Sequence, residues 1–391
     1  LNSKHKDQAV SKNTYYRFLN EPSYNWRKFL LLLSARVISA FDRLTRPERV
    51  KVLILDDSVI KRNRSKKVEL LARVYDHVEH KFQKGFTLLT LGWSDGYSFV
   101  PVGFNLLSSV SKNNRYQEMA DTIDRRSNGY KTRKESILQK TEASLLLIKR
   151  ALEAGICADY VLMDTWFTTE PMISSILAEG LDVIGMVKQL KQRYNYKGRT
   201  YTLPELQKFV RFDGARNIFG SLCVTTKNGI PVKIVFVRNR NKKSECLYLL
   251  STDCSISDSE IVRIYGNRWS IECFFKASKS CLKLGTEFQS RTYDAMVSHT
   301  SIVFTRYMLL EWIRRNENDE KTYGELFFML CEDVQDMDFT NALQGLLSLF
   351  TDIAVAASAE ITELIKSKVT NWIKSQPLFI QALFCNLSWE S

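Results

Sequence analysis

The sequence predicts a mixed α/β fold in which a sheet flanked by helices carries the chemistry. Three observations lead there. Short runs of β-branched and aliphatic residues recur between positions 50 and 190, and two of them end in aspartate. Segments of helical periodicity separate the later runs. A capped helix beginning near Ser257 then follows a β-rich interval. With 391 residues, 45% of them hydrophobic, the chain can bury a substantial core in one large domain or two to three smaller ones.

The elements follow in order. Residues 11–45 read as two short helices separated by the Asn20–Ser23 turn, with basic and aromatic residues interleaved, either a small DNA-binding module or a packing hairpin. VKVLILDDS is a buried central strand ending in Asp56 and Asp57. After a basic stretch, KRNRSKK, the run FTLLTLGWSDGYSFVPVGFNLL forms two strands about Asp95-Gly96. Residues 109–137, polar and basic, read as a loop or partly disordered arm. TEASLLLIKRALEAG is an amphipathic helix closed by Gly155, and YVLMD is a fourth strand ending at Asp164. A helix up to Gly180 and the strand LDVIGMVK complete the order strand, strand, strand, helix, strand, helix, strand, which is that of an RNase H-like core.

The organisation expected is thus an N-terminal helical region over 1–46, which opens at Leu1 instead of Met and so leaves truncation open, and a core over 47–189. A β-rich insertion over 190–255 follows, with a hairpin at Asn228-Gly229. The core resumes over 256–290, and a helical region over 291–391 includes VFTRYMLLEWIRR, GELFFMLCEDV, ALQGLLSLF and ITELIKSKVTNWI.

Charge narrows the function. Fifty-six Lys and Arg against 43 Asp and Glu give +13, which favours a polyanionic partner, most simply nucleic acid. The eight cysteines include no C-x-x-C pair, so neither a zinc site nor a disulfide framework is indicated, and a reducing cytosol fits best. His77 and His80 with Glu79 read as a polar face. No apolar run is long enough to span a membrane, and no secretory leader is visible.

Taken as one helix, YGNRWSIECFFKASK places Tyr265, Arg268, Glu272, Lys276 and Lys279 on one stripe, opposite Ile264, Ile271, Phe274, Phe275 and Leu282. Strand ends bearing Asp56 and Asp164, crossed by a helix bearing Glu272, would gather three hard oxygen donors. That set suits Mg2+ or Mn2+ and two-metal phosphodiester chemistry.

The spacing Y-x2-R-x3-E-x6-K at Tyr265, Arg268, Glu272 and Lys279 resembles the signature of DDE insertion-sequence transposases that carry a β-rich insertion. The resemblance covers roughly residues 50–290. It implies cut-and-paste DNA transposition, with Asp56, Asp164 and Glu272 as catalytic, metal-binding residues. The family pattern at the first position fits Asp56 with Ser58, with Asp57 as the rival. Tyr265, Arg268, Lys276 and Lys279 would contact DNA phosphates beside the scissile bond. Trp269 lies on the same stripe; it, Trp166, Phe167 and the aromatics of the insertion are candidates to stack a flipped base. Double-stranded DNA (terminal inverted repeats and target) is the implied partner, a homodimer the implied synaptic species, and a bacterial cytoplasm with its nucleoid the implied location. A catalytically inactive or truncated DNA-binding relic and an RNase H-like nuclease are the alternatives.

Overall fold

The computed structural model describes residues 11–44, 48–190, 192–210, 217–239, 245–286 and 290–316, with five further residues between 363 and 371. Every element named below belongs to one compact unit, Val10–Tyr323; the second unit, Leu1–Ala9 with Gly324–Ser391, contains only those five. The expected helices at GELFFMLCEDV, ALQGLLSLF and ITELIKSKVTNWI lie outside the described residues apart from these isolated positions.

The chain opens with α1 (Lys12–Asn20), whose N-cap Ser11 accepts a hydrogen bond from the Thr14 amide, and α2 (Trp26–Leu44). Helix α2 buries Leu30, Ser34, Val37, Ile38 and Phe41, one face at helical spacing. That face lies on the core sheet, where Ser34 Oγ donates to the Pro101 carbonyl at 2.8 Å. Helix α1 buries no residue.

Four strands follow: β1 (Val52–Lys61), β2 (Ala72–Asp76), β3 (Lys81–Ser94) and β4 (Phe99–Leu107). Strands β3 and β4 pair antiparallel about the predicted Asp95-Gly96 turn. There Asp95 Oδ1 accepts from the Tyr97 and Ser98 amides, and Gly96 takes the positive φ of 81° that a side chain would resist. Strand β2, absent from the sequence expectation, pairs with Lys81–Gly85 of β3.

The polar segment after β4 carries a helix, α3 (Asn128–Ser136), where a loop or disordered arm was expected. The physical reason is Arg133. Its guanidinium is 3% exposed and is clamped by Glu69 (Nε to Oε1, 2.6 Å) and Asp294 (Nη2 to Oδ2, 2.7 Å). A buried cation satisfied by two remote carboxylates fixes a segment whose local composition reads as solvated.

Next come α4 (Lys140–Glu153), β5 (Tyr160–Met163), α5 (Glu170–Ala178) and β6 (Asp182–Val187). The strand order β4-β3-β1-β5-β6, with β1 antiparallel to β3 and parallel to β5, and β5 parallel to β6, is that of a mixed RNase H-like core.

The β-rich segment contains β7 (Tyr194–Tyr196), β8 (Arg199–Tyr201), α6 (Leu203–Gln207), β9 (Ile218–Thr225), β10 (Pro231–Arg238) and β11 (Cys246–Ser251). Strand β11 pairs antiparallel with β6, so these strands continue the core sheet as β6-β11-β10-β9-β7-β8, eleven strands in all.

Three helices close the unit: α7 (Asp258–Gly266), α8 (Trp269–Ser280) and α9 (Tyr293–Asn316). The stretch read as one continuous helix is therefore two. Asn267 and Arg268 keep helical angles, but their amides bond three residues back, to Ile264 and Tyr265, in a tightened turn. Gly266 weakens the helix there, and Ser270 Oγ takes up the Asn267 carbonyl at 2.7 Å. At the start of α7, Ser257 Oγ accepts from the Glu260 amide, while the Glu260 carboxylate turns to Arg263 at 2.8 Å. No described helix is long and apolar enough to cross a membrane.

Candidate active site

Parallel pairing of β1 with β5 runs from Val52↔Tyr160 to Leu55↔Met163, and the next position on each chain is Asp56 and Asp164. Their backbones therefore stand side by side, about 5 Å apart. Asp164 is held by its own turn: Oδ1 accepts from the Trp166 amide at 2.9 Å and the Phe167 amide at 3.2 Å, and its carbonyl accepts from Thr168 Oγ1 at 2.6 Å. Thr168 can close this turn because residue 185 on β6 is glycine; a Cβ there would collide with the threonine side chain.

Asp56 Oδ1 accepts from the Asp57 amide at 2.8 Å, and Oδ2 accepts from Arg268 Nη1 at 2.7 Å. Burial pushes its carboxyl up to about 7; Arg268 opposes the shift, and the neighbouring Asp164 charge adds to it.

Side chains alternate along a strand, and Asp57 faces away from Asp56. It accepts from Lys140 Nζ at 3.0 Å. The same ammonium lies 3.8 Å from the Trp166 ring centroid. Lys140 went unremarked in the sequence. Its signal was there: a lysine opening a helix stands against the dipole.

The α7–α8 junction brings the remaining candidates to the carboxylates. Arg268 donates to Asp56 through Nη1 and to Glu272 through Nη2, so one cation bridges an acid of β1 and an acid of α8. Burial would lower the Arg268 pKa, but Tyr265, Asp56 and Glu272 together raise it. Tyr265 is pushed up to about 12 by burial; Arg268 opposes, and the charges of Asp164 and Asp56 add. Lys279 Nζ donates to Ser58 Oγ at 2.5 Å, which ties the far end of α8 to β1. Lys276 and Trp269 are exposed, Trp269 at 65%, and among the described residues their side chains make no hydrogen bond or ion pair. Trp166 is 40% exposed beside Asp164, while Phe167 is fully buried.

Among the described residues, no three His, Cys, Asp or Glu side chains stand close enough to hold a metal ion as they are. Arg268 accounts for the spacing, since its guanidinium lies between Asp56 and Glu272. The donor chemistry nonetheless fits a hard divalent cation: acidic oxygens, one of them raised in pKa by burial and then by its acidic neighbour, around a place that already attracts positive charge.

Residues 3–197 match the family model described as DDE superfamily endonuclease. This supports a DDE transposase-like family. The matched stretch contains Asp56 and Asp164 and ends before Glu272. It favours nuclease or transposase chemistry on DNA. No curated protein matches the chain at a significant level.

Proposed function

We propose that the chain is a DNA transposase that cleaves the ends of an insertion sequence and transfers them to target DNA. The observation that supports this reading is the parallel register of β1 and β5, which brings Asp56 next to Asp164 just past Met163, while Arg268 bonds both Asp56 and Glu272. On this reading the N-terminal region, the core in two parts, the β-rich insertion and the C-terminal region keep the boundaries given from the sequence.

Asp56, Asp164 and Glu272 would hold Mg2+ or Mn2+. Such ions, when bound, supply an activated water or 3′ hydroxyl and stabilise the leaving oxygen. The chain's own groups do the rest. The turn amides at Trp166 and Phe167 fix Asp164, and the sheet fixes Asp56. Arg268, which bonds both Asp56 and Glu272, would contribute a phosphate contact beside them. Lys279, Lys276 and Tyr265 add phosphate contacts along the same face, and Trp269 or Trp166 offers a ring for an unstacked base.

The partners are double-stranded DNA, as inverted repeats and as target, and a second copy of the chain in the paired-end complex, within a bacterial cytoplasm. Incubating the purified chain with a duplex bearing its element's end and Mg2+ tests the proposal. Joined strand-transfer products support it; binding without cutting points to an inactive relic, and cutting directed by structure alone points to an RNase H-like nuclease.

A further inference from the structure

Away from the acids, an open groove of about 880 Å3 lies between α1, the turn after β1 and the residues leading into α9. Its cations are Arg62, Arg64, Lys66, Lys67 and Arg291, and among the described residues no Asp or Glu lines it. Most of the remaining lining is hydroxyl and amide. Arg64, Lys66, Lys67 and Arg291 are exposed and form no ion pair among the described residues. Their neighbour Lys61 differs, being neutralised by Asp76 at 3.0 Å and by Glu79.

The groove backbone is fixed by its own bonds. The Ser65 amide donates to the Arg62 carbonyl at 2.9 Å, Gln117 Nε2 to the Lys66 carbonyl at 3.1 Å, and the Glu69 amide to the Arg291 carbonyl at 2.9 Å. Thr292 Oγ1 bonds Asn20 Oδ1 and so fastens the wall contributed by α1. Exposed cations on and beside a braced turn, with Arg64, Lys66, Lys67 and Arg291 in no ion pair among the described residues, suit a ligand with regularly spaced negative charge. Position selects the ligand. Strand β1 carries Asp56 and ends at Lys61, where the groove begins. At about 3.3 Å per residue the separation is roughly 20 Å, about six base pairs of duplex at 3.4 Å each.

We propose that this groove receives the phosphates of one strand of duplex DNA whose end lies at the candidate active site, as a contact independent of sequence. The inference rests on the DNA-directed reading of that site. It adds a surface that neither the Tyr265–Lys279 face nor the acids supply.

The test uses the full chain and a 30-base-pair duplex of arbitrary sequence, without divalent metal, so that no cleavage is needed. Binding is measured across a salt series for the parent and for Arg64→Ala/Lys66→Ala/Lys67→Ala/Arg291→Ala. Each phosphate that the variant no longer neutralises should flatten the dependence of log K on log salt by about 0.9, so the variant should lose roughly two to four units of slope. An unchanged slope in a variant with a native circular dichroism spectrum overturns the proposal. Lys66→Gln/Lys67→Gln, confined to an exposed turn, decides the matter should the fourfold variant misfold: a loss of one to two units supports the groove, and none overturns it. An equal loss on a single strand of the same length would overturn the duplex assignment. A parent that binds duplex through this groove yet never cuts with Mg2+ would leave the groove standing and remove the transposase reading.

Discussion

Arg268 donates to Asp56 across 2.7 Å although 212 positions separate the two residues in the chain. The same guanidinium holds Glu272 one helical turn onward. A guanidinium 19% exposed with two acidic partners is more than one half of a surface pair. Arg268→Ala should therefore lower the melting temperature in EDTA. Mg2+ should then raise it further in the variant than in the parent, because the ion takes over the neutralising role. Equal Mg2+-induced shifts in the two proteins would argue that no metal meets these carboxylates.

Asp56 and Asp57 are adjacent, yet their partners differ. Asp56→Ala, like Asp164→Ala or Glu272→Ala, should abolish Mg2+-dependent cleavage and strand transfer while duplex binding remains. Asp57→Ala breaks only the Lys140 pair and should retain cleavage. If instead Asp57→Ala alone is inactive in a gel assay, the first ligand moves one position along β1.

Gly185 faces the turn that fixes Asp164. Gly185→Ala should force Thr168 aside and lower stability by about 1–3 kcal/mol, with a loss of cleavage in proportion to the displaced carboxylate. Chemical denaturation and a cleavage assay on the same sample check it, and a variant equal to the parent in both contradicts the close approach.

His299 on α9 is buried, and its Nε2 accepts from the Gly285 amide at 3.2 Å, which requires the neutral ring. Burial first, then the charges of Arg62 and Arg306, push its pKa down to about 4. The unfolded chain, titrating near 6.5, takes up the proton first as pH falls. Stability from this residue is thus complete above about pH 6.5 and is lost progressively towards pH 4, by about 3 kcal/mol in all. His299→Gln should flatten the denaturation midpoint over that window; a midpoint that declines as steeply as the parent's would count against the assignment.

On the proposed function, two ends joined together would need two active sites. Light scattering of the complex with a duplex end should give two chains and two ends, and productive strand transfer by one chain on one end would contradict it.

The core was legible where physics is local. Apolar runs marked β1, β3, β4, β5 and β6, and the strand order alone put Asp56 beside Asp164. Features that depend on remote partners were hidden. Arg133 reads as one more cation in a polar stretch until Glu69 and Asp294 are seen around it. Lys140 shows locally only as a lysine placed against its helix dipole, and its role appears once Asp57 and Trp166 meet it. The break at Asn267 was missed because the periodicity of apolar residues passes through it undisturbed, while the hydrogen bonds do not. The attachment of β11 to β6 joins residues some sixty positions apart, and no pattern within either strand announces it.

That attachment bears on how the chain could be dissected. Strand β6 would be the rim of the core if the β-rich segment were cut away, baring backbone donors and acceptors beside buried Val183, Ile184 and Val187. In the intact chain the sheet ends instead at β8, three residues long and led by Arg199, too short and too charged to template another strand. Excising the segment to obtain a minimal nuclease should therefore yield an aggregating fragment, and a soluble one would need β11 kept as a covering strand.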